Sequence, residues 1–527
     1  MPAQAGIQGR KRLWMPACVG MTILLAALAA HAAPPSREAR VAAVIAHAAA
    51  SPPALRVLLQ PMPKGGDLHN HLDGSVYAED YLQWASDDGD CIARATRAIT
   101  PPPCAADAVP AKDLVSRDPK FYQETIDALS MRNWFPGSGT GEASGHDHTF
   151  ATFGRFIPAG AGHLSDMLVA TRRIAAADHV TYIEQMTDPA AAFAPALFGD
   201  DVAFDAADLS RSFDAVAPKL PAPAAAARAE YDAAEAKMRA ALACGTPRAD
   251  AACDVAVHYL FYAVRTLPPK QVFAQIALGF TLAATDPRFV GVDLVAPEDD
   301  PVSLRDFELQ MRMFRFFKTC FPGVNLSLHA GELALGLVPP TELGFHIRDT
   351  VEIAGARRIG HGYSIPYERD AAGLLAEMAA KKIAVEINLT SNDITPGIKG
   401  AEHPLALYRR AGVPVTLSAD DEGVFRIDLT HEYVRAATEQ NLGYLDLKKL
   451  ARNGLEYSFL PGQSLWQSGD YAKPAPACAG NPPGAATPSA PCAAFLAENE
   501  KAAIQWRFER EIAAYEDAVL AGLFAKH

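Results

Sequence analysis

The sequence lacks an excess of basic residues. Its 527 residues contain 48 Lys and Arg against 61 Asp and Glu, which gives a formal net charge of −13. A protein that holds the phosphate backbone of a nucleic acid needs a basic surface. The charge therefore argues against a nucleic-acid partner and favours a small-molecule substrate.

Long apolar runs are also missing. The stretch MTILLAALAA at 21–30 is shorter than the roughly 20 residues that cross a bilayer. It follows three bases at 10–12 and ends in the small-x-small pattern of Ala30–Ala32, as secretory signals do. We expect residues 1–32 to be removed on export to the periplasm or the medium, which would leave no stable membrane insertion.

Cysteine is sparse, and none of the eight has the spacing of a zinc finger. Three pairs are close in sequence, and each brackets an irregular or Pro/Ala-rich stretch: Cys91/Cys104, Cys244/Cys253 and Cys478/Cys492. An exported protein can use these pairs as local disulfides, with Cys320 left free. Unpaired buried thiols are the alternative, since spacing does not prove connectivity.

Eight short apolar segments, separated mostly by amphipathic helical segments, are predicted to be strands. They are GDLHNHLDG (66–74), HVTYIEQM (179–186), VAVHYLFYAV (255–264), RFVGVDLV (288–295), VNLSLHAGE (324–332), RRIGHGY (357–363), IAVEINLT (383–390) and VPVTLSADD (413–421). Alternation of apolar strands with helices indicates a buried parallel sheet. Eight units predict an α/β fold, a closed (β/α)₈ barrel.

The barrel is expected to span residues 63–470, with insertions near 91–145 and 190–252. A helical arm is expected to precede it at 33–62. Residues 471–527 are predicted to form a Pro/Ala-rich loop and a final helix that packs on the barrel. The apolar residues of that helix recur at helical spacing: Ile504, Phe508, Ile512, Tyr515 and Val519.

Two histidines in the stretch KGGDLHNHLDGS point to a metal site. In a strand, His69 and His71 project from the same face and can bind one divalent ion. His329 and Asp420 each end another predicted strand, and three His with one Asp suit zinc with an open position for water. Residues 64–66 are expected only to lead the chain into the barrel.

Two further polar residues fall at strand ends, where barrels of this kind build their active sites. Glu332 lies three residues beyond the third histidine, and His361 is flanked by glycines in GHGY. Each residue taken alone could be a cap, a satisfied core histidine or a solvated acid. Five of them at the strand ends of one barrel favour a catalytic site.

Two neighbouring features are less specific. His146 and His148 in GHDH resemble the metal pair, but they are expected to lie in a solvated Gly-rich loop. The aromatic residues that follow, Phe150, Phe153 and Phe156, are expected either to cover a substrate or to pack as an ordinary helix.

The motifs HNHLDGS, DLV with an acidic turn, LHAGE, RIGHGYS and SADD resemble, as a set, the adenosine deaminase family of the metal-dependent amidohydrolase superfamily. The resemblance covers roughly Pro63 to Pro461. The long N-terminal region is similar to that of the extracellular branch of the family.

The resemblance implies one Zn²⁺ per chain, bound by His69, His71, His329 and Asp420. No lysine stands at a predicted strand end to bridge two metals. The implied reaction is the hydrolytic conversion of adenosine, or a close 6-aminopurine nucleoside, to inosine and ammonia.

The resemblance also assigns roles around the implied metal. Glu332 would protonate the purine ring and therefore needs a raised pKa. His361 would orient or deprotonate the attacking water, and Asp420 would be catalytic as well as a ligand. Protonated Asp421 would donate to the imidazole ring of the purine, and Asp73 would bind the 5′-hydroxyl of the sugar.

The sequence departs from the family pattern at two places. Ala296, followed by proline, stands where the family has a glycine whose N–H contacts the purine, and Glu422–Gly423 replaces the proline that usually follows Asp421. Two alternative functions therefore stay open. One is another metal-dependent barrel hydrolase, either an amidase or a deaminase of a different heterocycle. The other is a non-enzymatic nucleoside-binding or growth-factor-like protein.

Overall fold

The computed structural model describes residues 35–138 and 140–522. The predicted export signal, residues 1–32, lies outside this part of the chain. None of the helices within these ranges is both long enough and apolar enough to cross a membrane.

Eight parallel strands form one sheet in chain order, which confirms the predicted barrel. The sheet is nearly closed, because Asn70 on its first strand bridges to Asp420 after its last. The Asp420 N–H also donates to the His69 carbonyl at 2.9 Å. The strands are β1 Gly65–His71, β5 Val180–Thr187, β6 Ala256–Val264, β7 Phe289–Val295, β8 Asn325–Ala330, β9 Arg358–His361, β10 Ala384–Ile387 and β11 Val415–Leu417.

Helices surround the sheet. They are α1 Arg37–Ala48, α2 Pro52–Leu59, α3 Ala78–Asp88, α4 Leu114–Arg117, α5 Pro119–Ala128, α6 Gly145–Gly160, α7 Leu164–Ala177, α8 Leu209–Val216, α9 Pro221–Ala241, α10 Pro269–Thr285, α11 Pro301–Cys320, α12 His346–Asp349, α13 Ala371–Lys381, α14 Leu389–Ile394, α15 Leu405–Ala411, α16 Glu422–Phe425, α17 Leu429–Glu439, α18 Tyr444–Glu456, α19 Ala490–Glu498 and α20 Glu500–Leu520. The apolar faces of the barrel helices pack on the strands in one large core.

Local sequence explains where several of these helices begin. Asp300 precedes α11 and accepts a hydrogen bond from the N–H of Val302 at 2.7 Å, and Pro301 occupies the first helical position. Ser144 caps α6 in the same way by accepting from the N–H of Asp147. These caps satisfy backbone donors that have no partner inside the helix.

The excursion after β1 contains a small antiparallel sheet, with β2 Cys91–Ala93 between β3 Ile99–Thr100 and β4 Ala108–Pro110. The same excursion also contains helices α3 to α7. Between β5 and β6, residues 190–252 form short 3₁₀ turns with α8 and α9. These segments decorate the barrel and do not extend its sheet.

The three predicted disulfides are present, which confirms the pairing expected from sequence. Cys91 pairs with Cys104, Cys244 with Cys253, and Cys478 with Cys492. Cys320 is exposed and forms no disulfide in the described part of the chain.

The residues that lead into β1 have a structural role. For Lys64, the expectation that it only leads the chain into the barrel was incomplete. Its side chain is fully buried, and Nζ donates to the carbonyls of Met62 at 3.0 Å and Asp178 at 2.7 Å. The following Gly66 packs against α18, where a Cβ would lie 2.5 Å from the Gly454 carbonyl oxygen. The lysine therefore stabilises the base of the barrel, and the glycine allows close helix–strand packing.

The final helix packs on the barrel as predicted. The five apolar residues named from its periodicity are all buried in the large core. Arg37 of α1 contacts Glu516 and Asp517 of α20 at 3.0 and 3.1 Å, which joins the two ends of the described chain.

Candidate metal centre

Three histidines converge at one end of the barrel. His69 and His71 lie on β1, His329 lies on β8, and all three are buried. The Nε2 atoms of His71 and His329 are 3.2 Å apart, and the rings of His69 and His329 are 4.4 Å apart between centroids. The structure thus brings together residues that are 258 positions apart in the chain.

Asp420 brings a carboxylate to the same point. Its Oδ1 lies 3.4 Å from Nε2 of His69 and 3.4 Å from Nε2 of His71. The residue has a φ of +62°, which is uncommon outside glycine but is better tolerated by aspartate than by most residues. Backbone hydrogen bonds to β1 hold it in that conformation.

Three of the separations among these four groups fit a tetrahedral divalent ion. Ligand atoms about 2.0–2.1 Å from a tetrahedral centre are separated by about 3.3–3.4 Å. The three separations given above, between 3.2 and 3.4 Å, match that geometry. In addition, Nε2 of His69 is buried without a hydrogen-bond partner among the described residues, as expected of a ligand atom aimed at an ion.

Two carboxylates lie behind the histidine ligands. Glu386 Oε2 lies 2.8 Å from Nδ1 of His69, and Asp293 Oδ2 lies 2.9 Å from Nδ1 of His329. The Glu386 contact is a hydrogen bond of the kind that fixes ring orientation and increases ligand basicity, whereas Asp293 Oδ2 approaches His329 Nδ1 without hydrogen-bond geometry. The sequence analysis assigned neither residue this role, although an acid inside the apolar runs IAVEINLT and RFVGVDLV is a usable signal.

Two of the three histidines are held in the neutral form that binds a metal. Burial lowers the pKa of His71 to about 3, and burial with the neighbouring imidazoles holds the pKa of His329 well below its usual value. Burial also opposes charge on His69, but Asp420 and Glu386 outweigh it and raise the pKa of that imidazole. The carboxylates thus create a site that favours a positive charge.

Glu332 and His361 lie beside the ligand cluster. His361 Nε2 is 3.7 Å from Glu332 Oε1 and 3.9 Å from Asp420 Oδ2. Its other ring nitrogen, Nδ1, is 3.0 Å from Asn392 Oδ1, so the imidazole is held between the cluster and α14. Burial, with the charges of Asp420 and Glu298, raises the pKa of the Glu332 carboxyl, although His361 opposes the shift.

Asp421 and Asp73 face the same space. Burial, followed by the charges of Asp420 and Asp73, raises the pKa of the Asp421 carboxyl well above its usual range. Burial also raises the pKa of Asp73. Gly74 makes the arrangement possible, because a Cβ there would lie 1.7 Å from Asp421 Oδ1.

A cavity of about 410 Å³ joins these groups. Of the predicted site residues only His69 is absent from its lining, because that side chain is fully buried behind it. Ala296 lines the cavity with a φ of +82°, the left-handed region that favours glycine. Lining residues that the sequence analysis did not single out include Thr149, Tyr262, Thr266, Asp300, Ser391 and Phe425, and no local pattern marks them.

The structure separates the two alternatives for the aromatic run of α6. Phe150 and Phe153 line the cavity, whereas Phe156 is buried and stacks on Tyr81 with ring centroids 4.7 Å apart. The run therefore serves both purposes, with two rings at the cavity and one in the core.

The prediction of a solvated loop for His146 and His148 was wrong. Both lie in the first turn of α6, which Ser144 caps. His148 is buried and contacts Glu142 at 3.0 Å, and His146 contacts Asp299 at 2.9 Å. Helix capping overrode the glycine-rich composition, and neither residue joins the metal cluster.

Residues 215–465 match the family model for adenosine deaminase. Over this segment the chain is similar to the adenosine deaminase family. The match contains His329, Glu332, His361 and Asp420 but begins after the HNHLDGS segment of β1.

Curated relatives match a shorter segment. An adenosine deaminase from Clostridium perfringens is 36% identical over 138 residues, which are 26% of this chain and 38% of the relative. An aminodeoxyfutalosine deaminase from Streptomyces coelicolor is 43% identical over 112 residues, which are 21% of this chain and 28% of the relative. The chain thus matches less than half the length of these relatives.

Solved structures share the fold. An amidohydrolase from Burkholderia ambifaria with bound Zn aligns with a TM-score of 0.51 at 17% identity, over 89% of this chain and 95% of that one. Arabidopsis ADAL complexed with IMP aligns with a TM-score of 0.50 at 19% identity, over 76% and 93%. Both likenesses agree with the barrel described above.

Proposed function

We propose that this protein is a zinc-dependent hydrolytic deaminase that converts adenosine, or a close 6-aminopurine nucleoside, to inosine and ammonia. The observation that supports this most is the meeting of the metal-ligand cluster with a proton donor at the wall of one cavity. Glu332, whose raised pKa favours the protonated acid, lies beside three imidazoles and the Asp420 carboxylate.

Zinc is the metal that the donor set favours, because imidazole and carboxylate ligands in tetrahedral geometry are typical of it. His69, His71, His329 and Asp420 would hold one ion. When bound, zinc supplies a Lewis acid that lowers the pKa of water toward neutrality.

The residues around this centre supply the proton transfers. Water adds through its oxygen to the amino-bearing carbon of the purine, and His361 orients that water and accepts its proton at Nε2. Glu332 gives a proton to the adjacent ring nitrogen, which makes the carbon electrophilic. The amino group then leaves as ammonia with the proton that His361 accepted, the added hydroxyl returns a proton to Glu332, and the ring keeps the oxygen as inosine.

Three other groups would bind the nucleoside. Protonated Asp421 donates to a nitrogen of the imidazole ring of the purine, and its raised pKa supports that role. The Ala296 N–H contacts the purine, and Asp73 accepts from the 5′-hydroxyl of the sugar. The acidic composition supports a small nucleoside as partner and disfavours nucleic acid.

A second candidate is deamination of aminodeoxyfutalosine or a related compound. The 43% identity to an enzyme described as an aminodeoxyfutalosine deaminase favours it, since the matched relatives do not share one substrate. A binding protein without activity is less well supported, because the three histidines lie together and Glu332 lies 3.7 Å from His361.

We also propose that the protein is exported. The three disulfides support an oxidising compartment, because such bonds rarely persist in the cytosol of mesophiles. The basic and apolar N-terminal segment supports the same conclusion.

Incubation of zinc-loaded protein with adenosine, deoxyadenosine and adenine tests the function. We expect ammonia release and a fall in the adenosine absorbance band, faster with the nucleosides than with the free base. Absence of ammonia from all three compounds would favour a different heterocycle, an amide substrate or a binding role.

A further inference from the structure

A second cavity of about 620 Å³ adjoins the one that holds the metal cluster. The two share four lining side chains, Asp73, Ile157, Tyr262 and Val264, which we call the border. The metal-site residues line only the first cavity, so the second begins on the far side of the border from the reacting centre.

The position of the border indicates which end of a bound nucleoside would face the second cavity. This argument rests on the proposed function, in which Asp73 accepts from the 5′-hydroxyl of the sugar. A group attached at that oxygen would pass between Asp73 and Tyr262 and enter the second cavity. A volume larger than that of the first cavity is unnecessary for adenosine alone.

The second cavity has apolar walls near the border. Leu72, Leu164, Met167 and Phe193 contribute side chains that suit a hydrocarbon or thioether chain. None of these residues can neutralise a charge, so a charged group would have to meet the acidic residues of the same lining.

Charge at the second cavity is mainly negative. Asp188 and Glu230 also line it, and Asp188 faces the border through the Tyr262 hydroxyl. Lys237 is the basic residue of this lining, and it is exposed at the rim. Burial with the charge of Asp73 raises the pKa of Asp188 to about 7, which reflects the concentration of acids and the absence of a buried cation among the described lining residues.

Part of this lining comes from a segment that the barrel itself does not require. Glu230 and Lys237 both lie on α9, within the insertion between β5 and β6. The Glu230 carboxylate accepts from the Ala190 N–H at 3.2 Å, which positions it at the cavity. The insertion therefore supplies one acidic and one basic side chain to the wall of the second cavity.

We propose that the second cavity binds a 5′ substituent of the nucleoside, made of an apolar linker that ends in a positively charged amine. The linker lies along the apolar walls, and the amine reaches Glu230 and Asp188. A 5′-phosphate is disfavoured, because it would meet three carboxylates and only one exposed lysine.

Four nucleosides test this proposal: adenosine, AMP, 5′-deoxy-5′-(3-aminopropylthio)adenosine and its uncharged isostere 5′-deoxy-5′-(butylthio)adenosine. We expect kcat/KM to be at least about tenfold higher for the amine than for the isostere, since only the amine forms a charge-assisted hydrogen bond with a carboxylate. AMP should be the poorest substrate.

Variants on α9 provide the matched control. Glu230→Gln should remove most of the preference for the amine over the isostere. Asp232→Asn, on the same helix but outside the cavity lining, should keep that preference. The binding of all four compounds to Glu332→Gln protein, by calorimetry, provides a readout that does not need turnover.

The outcomes separate the two proposals. Turnover of adenosine with exclusion of both thioether compounds would overturn the second-cavity proposal and leave the deaminase intact. Equal turnover and equal binding of the amine and the isostere would also overturn it. Failure of all turnover, with a tenfold binding preference for the amine that Glu230→Gln abolishes, would overturn the deaminase and support the cavity.

Discussion

Oε2 of Glu386 lies 2.8 Å from Nδ1 of His69, on the side of the imidazole opposite to Asp420. The contact fixes the ring so that Nε2 faces the other ligand atoms. The same carboxylate accepts from the Arg358 guanidinium, which also pairs with Glu184. One buried glutamate therefore links the candidate metal site to the centre of the barrel.

Replacement of this glutamate should weaken metal binding. We expect Glu386→Gln to lower zinc affinity by about 10–100-fold, because His69 loses the anion that orients it and increases its basicity. Competition with a chromophoric chelator measures the affinity. Glu184→Gln is the matched control, since it removes the other carboxylate on Arg358 without a contact to His69.

Both variants should lower the melting temperature, because each leaves a buried guanidinium with one anion fewer. Only Glu386→Gln should change zinc affinity. Equal zinc affinity in the two variants would show that the Glu386 contact does not support the metal site.

Substitutions at the neighbouring positions Glu332 and His329 should affect metal binding and turnover differently. Glu332→Gln keeps all four ligand groups but cannot donate a proton, so we expect bound zinc and a loss of turnover of about 100-fold or more. His329→Ala removes a ligand and should lose both. Metal content and ammonia release measure the two properties, with Glu308→Gln on the exposed face of α11 as the control.

Retained turnover in Glu332→Gln would remove the proton-donor role. A variant without zinc would show instead that Glu332 helps to build the metal site.

Ala296, which lies at the cavity wall with a left-handed backbone conformation, should accept replacement by glycine without loss of stability. Ala296 has a φ of +82°, a region that costs an L-residue about 1–2 kcal/mol, while glycine adds about 0.4–1 kcal/mol of unfolded-state entropy. We expect Ala296→Gly to leave the free energy of unfolding unchanged or slightly raised. Ala296→Val should lower it by about 1 kcal/mol or more, because a β-branched residue adopts this region poorly.

Urea unfolding of the three proteins tests this expectation. Greater loss of stability in the glycine variant than in the valine variant would contradict it.

A buried glutamate away from the site should make stability depend on pH. Burial raises the pKa of Glu432 to about 7 from an ordinary 4.5, although its hydrogen bonds with Thr390 oppose the shift. The folded protein therefore holds a proton that the unfolded chain has released. Its contribution is fully present below pH 4.5 and is lost as the pH rises through about 7.

Glu432→Gln should flatten the decline in the free energy of unfolding between pH 4.5 and 8 by up to about 3 kcal/mol, at about 1.4 kcal/mol per pKa unit. Unfolding at several pH values measures it, with the exposed Glu402→Gln as control. Parallel curves for wild type and Glu432→Gln would mean that Glu432 titrates alike in both states.

The barrel could be predicted because each strand carries its own signal. Short apolar runs such as RFVGVDLV alternate with amphipathic helices, and polar residues such as His329 fall where a strand ends. In a parallel barrel these ends meet at one face, so local patterns were enough to bring His69, His329 and Asp420 together.

Contacts between distant elements could not be predicted in this way. The pairing of Glu386 with His69 depends on barrel closure, since 317 residues separate them. The second cavity depends on how α9 packs beside Tyr262, which no local pattern specifies. The loop predicted for His146 and His148 was wrong for a different reason, because Ser144 caps α6 and the helix begins within the glycine-rich stretch.

Stepwise addition of zinc to metal-free protein, with adenosine turnover followed at each step, tests the central claim most directly. We predict that turnover is negligible without metal, rises linearly and reaches a plateau at one equivalent of zinc, and that His329→Ala stays inactive throughout. Full turnover in the metal-free protein, or a plateau only at two equivalents, would contradict a single ion held by three imidazoles and one carboxylate.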